Sequence, residues 1–175
     1  MSAIVVFPGP VSQDRVDDAI AAAELVLANI LPRTSGQPRQ LVTLSRDGAS
    51  SVVFAKDERL DVTYAVVSGE GAEGLAERLA SALGRVDVAD LVRAPDRAWA
   101  LRHAAVLQRP AETEPILLEG LASSEPRVRA VAALATAYAS TPALSAALAA
   151  AIGPERDGEV AATMRAALAT LTEAR

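Results

Sequence analysis

The sequence predicts an α+β fold: a small antiparallel sheet domain with a long packed helix, in the order β-α-β-β-β-α, followed by an all-α array. Three observations carry that expectation. Strand candidates bounded by turn residues are confined to the first half of the chain. From Pro95 onward every apolar pattern has helical spacing. Between them, Glu114 to Tyr138 reads as helix, polar turn and helix. Leu117, Leu118 and Leu121 edge the first helix, and Ser123 to Pro126 break it. Val128, Val131, Ala132, Leu134, Ala135 and Tyr138 then recur on the second. Ser124 is the N-cap candidate of that second helix, with Pro126 near its first position.

The elements follow in order. Ala3 to Phe7 is a short buried-strand candidate stopped by Pro8, Gly9 and Pro10. Ser12 caps a helix whose early carboxylates, Asp14, Asp17 and Asp18, suit the positive end of the helix dipole. Val16, Ile20, Ala23, Leu27, Ile30 and Leu31 trace one face, so the helix is expected to run to Pro32. The polar run Arg33 to Arg39 is a loop. A meander follows: Gln40 to Arg46, a turn at Asp47-Gly48, Ser51 to Lys56, a turn at Asp57 to Arg59, and Leu60 to Val67. Leu60, Val62, Tyr64 and Val66 share one face of that last strand by alternation. A glycine-rich segment, Ser68 to Gly74, leads into a helix ending at Leu83, with Gly84 as its stop.

Strand signals cease near Arg93 to Pro95, which divides the chain into an α+β domain over 1–93 and a helical domain over 94–175. Helices are expected over Asp96 to Gln108, Thr113 to Leu121, Arg127 to Tyr138, Pro142 to Ile152 and Gly158 to Leu171. Thr141 before Pro142 has the form of a cap followed by a first-turn proline.

Composition narrows the chemistry. Of the 175 residues 51% are apolar but only 3% aromatic, so the core rests on alanine and closely approaching helices. There is no cysteine, hence no disulfide, thiolate zinc site or thiol nucleophile, and a single histidine. The net charge of −5 opposes general binding to a polyanion, whose affinity rests on neutralised phosphates. No apolar run reaches the roughly 18 residues of a spanning helix. The segment MSAIVVFPGP lacks a basic n-region, so a cytoplasmic location is expected.

The helical half contains a repeat. LRHAAVL (Leu101 to Leu107) and VRAVAAL (Val128 to Leu134) align at a spacing of 27 residues, with PILLEGL between them and MRAAL (Met164 to Leu168) as a shorter third copy. This pattern resembles the HEAT-like helical repeat, in which a V-R-x-x-A-A-x-A-L helix alternates with a P-x-L-x-x-L helix. Val128-Arg129 and Leu101-Arg102 fill the V-R pair. The spacing is shorter than the roughly 40 residues of a HEAT unit. The resemblance implies an array whose exposed ridges bind partner proteins.

Other candidates have ordinary explanations. Gly69, Gly71 and Gly74 match G-x-G-x-x-G, but Glu70 and Glu73 would face the phosphates and no βαβ unit precedes them. His103, on the stripe of Trp99 and Leu107, has no second ligand for a metal and reads as a packed or partly exposed residue. Asp57, Glu58 and Asp61 read as solvated turn charge. Arg97, Arg102, Arg109, Arg127 and Arg129 are the local concentration of basic residues and the candidate partner-binding set. Arginine pairs bidentately with carboxylates, which favours an acidic protein surface.

The expected function is a noncatalytic protein-protein interaction module, an adaptor or scaffold docking another protein on the helical array. It needs no cofactor, no metal and no membrane, and is compatible with a homo-oligomer. Two alternatives are a nucleic-acid accessory protein using the arginine ridge, and a ligand sensor or enzyme with an interdomain pocket.

Overall fold

The computed structural model describes residues 2–34 and 38–173. The chain forms two compact units, Met1–Val86 and Asp87–Arg175. The fold is α+β, an antiparallel sheet unit followed by a helical array. The division falls ahead of the expected Arg93 to Pro95, so the short helix that follows Val86 belongs with the helices.

The N-terminal unit contains β1 (Ser2–Val6), α1 (Gln13–Ala22), β2 (Leu25–Leu31), β3 (Arg39–Ser45), β4 (Ser50–Asp57), β5 (Val62–Gly69) and α2 (Ala72–Leu83). Its five strands stand in the order β1-β5-β4-β3-β2, antiparallel throughout. The first strand pairs with the last, Val5 opposite Ala65. The expected order is therefore corrected to β-α-β-β-β-β-α. The long helix is two elements: α1 stops at Ala22, and Leu25–Leu31 is an edge strand paired with β3. Glu24, at φ 55, takes the left-handed conformation that ends helical continuation. The periodicity misled because Leu27, Ile30 and Leu31 fit a helical stripe as well as a strand, and a short apolar run carries no internal arbiter. The partner strand decided it. The expected loop from Arg33 to Arg39 lies partly outside the described residues.

Both helices cover one face of the sheet. Val16 and Ala19 of α1, and Leu75, Leu79 and Leu83 of α2, pack with Val5, Phe7, Val52, Phe54, Ala65 and Val67. The helix-facing side of β5 is thus Ala65 and Val67, while Val62, Tyr64 and Val66 lie on the opposite side. Ser12 caps α1 as expected, accepting the Arg15 N–H at 3.4 Å. The Asp47-Gly48 turn joins β3 to β4, with Gly48 at φ 73. Asp57 is a correction: it is buried, not solvated, and its Oδ1 accepts the N–H groups of Arg59 and Leu60 at 2.9 and 3.0 Å.

The C-terminal unit is helical: α3 (Val88–Arg93), α4 (Arg97–Val106), α5 (Pro110–Leu121), α6 (Pro126–Ala139), α7 (Pro142–Ile152) and α8 (Gly158–Glu173). Helices α4, α6 and α8 touch in succession, α5 touches α7, and each helix from α5 to α8 touches the one before it. Leu101, Leu117, Leu144, Leu148 and Met164 are fully enclosed. The alanines permit this closeness. Ala132, Ala133 and Ala135 bury α6 on more than one side, whereas Tyr138 at its end is exposed. Proline and cap signals set the starts. Pro110, Pro126 and Pro142 each open a helix, and Thr141 caps α7 through the Leu144 N–H at 3.2 Å. Ser124 is not the cap of α6; Glu125 holds that position without a side-chain bond.

Candidate interaction surface

The turn between α5 and α6 is held by the Ser123 hydroxyl, which accepts the Glu125 N–H at 3.2 Å, and by Arg129. Arg129 projects from the second turn of α6, where its Nη1 donates to the carbonyls of Ser123 and Ser124 at 2.8 and 3.0 Å. Its Nε and Nη2 reach Glu155, in the α7–α8 connection, at 2.6 and 2.9 Å. The fork therefore joins two connections. The Glu155 side chain is only 3% exposed. The Arg129 guanidinium, together with the Asp157 N–H, holds the Glu155 carboxyl well below the usual range, at about 2. The same carboxylate raises Arg129 further.

The remaining arginines of the expected set are differently placed. Arg97 pairs with Glu119 across α4 and α5. Arg102 is half-buried on α4, and its Nε is enclosed without a hydrogen-bond partner among the described residues. Arg109 and Arg127 are exposed at the starts of α5 and α6 and make no ion pair among the described residues. The five therefore do not act alike: Arg97 and Arg129 are already neutralised by carboxylates, which weakens an arginine ridge aimed at phosphates.

An open groove of about 630 Å³ lies beside the Arg129–Glu155 pair. One wall is Leu118, Leu121 and Ala122 of α5 and its cap. The other is Ala147, Ala150 and Ala151 of α7, at helical i, i+3, i+4 spacing. Met164 closes the floor, and Arg156 lines it as a cation that is exposed and without an ion pair among the described residues. A second cleft, bordered by Arg97, Glu119 and Val128, shares Ala122 and Ser123 with the first. The alanines of α7 and Arg156 were not legible as a site. In an alanine-rich helix the same spacing reads as core, and only the packing shows which stripe stays open.

The glycine-rich loop serves the backbone. A Cβ on Gly69, at φ 106, would lie 2.2 Å from the Ala49 carbonyl oxygen, so the glycine permits close approach of β4 and β5. Gly71 caps α2. The cleft there contains Asp47 and Glu70 with Arg78. Bonds from the Ser45 hydroxyl and the Ala49 N–H lower Asp47 below its ordinary value, keeping it charged. Anionic walls oppose a pyrophosphate. His103 is buried, its ring stacked on Trp99 at 4.1 Å and its Nδ1 2.8 Å from the Trp99 carbonyl. Among the described residues no three His, Asp or Glu side chains gather as a metal site, and no helix is long and apolar enough to cross a membrane. Comparison with family models, curated proteins and solved structures found no match.

Proposed function

We propose that the helical unit is a noncatalytic protein-interaction module, HEAT-like in its stacking, that seats an amphipathic helix of a partner protein in the groove between α5 and α7. The single observation that carries this is the groove's make-up. A leucine wall faces an alanine wall; Ser123, Arg129, Glu155 and Arg156 also line the groove, and of these Arg129 and Glu155 are bonded to each other. Small side chains let a partner backbone approach, and an apolar stripe at i, i+3, i+4 on the incoming helix would match the walls. Arg156 favours a carboxylate flanking that stripe, since the other charges beside the groove already satisfy each other. The alternation of helices α4 to α8 supports the array reading, and a cytoplasmic setting belongs to the same proposal.

The test is to identify a captured partner, map its binding segment as a synthetic peptide, and titrate it by calorimetry. Ala150 is exposed on the groove wall, so Ala150→Trp fills the groove without entering the core. Loss of peptide binding in a folded Ala150→Trp chain, with weakening in Arg156→Glu, is the expected result. Undiminished binding by Ala150→Trp overturns the proposal.

A further inference from the structure

The sheet unit carries a different surface. β2 ends the sheet, and its outer backbone edge has no neighbouring strand among the described residues. Its sequence from Leu25 to Leu31, LVLANIL, contains no charge and no proline. Val26, Leu27, Ile30 and Leu31 are 54, 50, 46 and 40% exposed, and Leu44 on the adjacent β3 is 38% exposed. Only two other large apolar side chains, Val92 and Tyr138, are similarly exposed among the described residues. Folded chains ordinarily blunt such an edge with lysine, proline or a covering loop. Among the described residues two features interrupt it: a bulge, the register shift between Leu27 and Asn29 that leaves Ala28 out of the ladder with β3, and the Asn29 Oδ1, which accepts the Ile30 N–H at 2.8 Å.

We propose that β2 pairs antiparallel with β2 of a second copy of this chain, about a two-fold axis at Ala28, to make one continuous ten-stranded sheet. Three features select a second copy over an unrelated strand. The segment is nearly its own antiparallel complement. With Ala28 opposite Ala28, Leu25 meets Leu31, Val26 meets Ile30, and only Leu27 meets a polar residue, Asn29. The small residue falls on the axis, where opposed Cβ atoms come within about 5 Å, and the bulge then bends both copies equally. The flanking charges also match. Glu24, which has no ion pair among the described residues, comes beside Pro32 and one step from Arg33 of the other copy, whose guanidinium already pairs with Glu58 of its own chain and would bridge the two carboxylates. Two-fold pairing repeats this contact at both ends, whereas parallel pairing would set Glu24 against Glu24.

The chain has no cysteine, so a single introduced one reports the geometry. Light scattering of the full chain across a concentration series is expected to approach twice the 18.1 kDa chain mass. Val26→Lys, at the most exposed large apolar residue of the strand, is expected to give the monomer with an unchanged circular dichroism spectrum. Under mild oxidation Ala28→Cys is expected to cross-link as a dimer far faster than Ala149→Cys on exposed α7, and this arm stands even if Val26→Lys fails to fold. A wild type monomeric at every concentration overturns the proposal. So does Ala28→Cys cross-linking no faster than the control, or a monomer that takes up only a foreign strand at β2.

Discussion

Arg129 and Glu155 form a bidentate pair, Nε to Oε2 at 2.6 Å and Nη2 to Oε1 at 2.9 Å, that ties the α5–α6 turn to the α7–α8 connection. The fork also satisfies the carbonyls of Ser123 and Ser124, so one side chain supplies four bonds to two connections. Arg129→Lys keeps the charge but loses the fork geometry, and it is expected to destabilise the chain measurably. Arg97→Lys, in an exposed pair with Glu119, should change stability by under about 1 kcal/mol. Denaturant midpoints of the two variants check the ranking; equal effects would remove Arg129 from its structural role.

The pair also sets an acid dependence. The folded-state value of Glu155, about 2, lies below its ordinary 4.5, so the unfolded chain binds more protons between them. Stability from this group is therefore complete above about 4.5 and is lost as pH falls toward about 2. Wild type should lose more stability than Glu155→Gln between about pH 6 and pH 3 in urea titrations, other carboxylates contributing equally to both. Parallel losses would contradict the coupling.

Gly120 lies where α4, α5 and α6 meet. A Cβ there would be 2.6 Å from Leu101 Cδ2 and 2.9 Å from Ala132 Cβ. Gly→Ala in a helix gains about 1 kcal/mol, while overpacking costs about 1–3 kcal/mol. The Ala132 Cβ has no rotamer through which to yield, so steric cost wins. Gly120→Ala should lose about 1 kcal/mol by chemical unfolding, and a stabilised variant would show that the three helices can part freely.

Gly69→Ala meets a harder obstacle, since the clash is with the Ala49 backbone oxygen and φ is 106°. Relief requires shifting the Ser50–Gly69 pairing. The expected loss is about 3 kcal/mol. Gly74→Ala, with nothing within 4 Å of its Cβ, should instead gain up to about 1 kcal/mol. A thermal melt of each distinguishes a backbone role from a ligand-cradling one, which would not separate them by stability.

Thr141 tests a cap that joins helices. Its Oγ1 accepts the Leu144 N–H at 3.2 Å and donates to Glu114 Oε2 of α5 at 2.5 Å. Thr141→Ala should cost about 1 kcal/mol, and Thr141→Ser should recover most of it. Failure of serine to rescue would assign the effect to the lost methyl.

The α+β class, the all-helical second half and the helix punctuation follow from local patterns in the chain. Pro126, Pro142, Thr141 and Gly84 act within one turn of their own positions, and Asp47-Gly48 closes a local hairpin, so these features were legible locally. Long-range packing instead fixes that Leu25–Leu31 is a strand, that β1 lies beside β5, and which alanine stripe of α7 stays open. Each depends on a partner distant in sequence: a hydrogen-bonding edge for β2 and β1, a facing helix for α7. Asp57 and Arg129 follow the same rule. Both looked like surface charge; Asp57 is buried and Arg129 half-buried because backbone donors or a carboxylate from another connection meet them there.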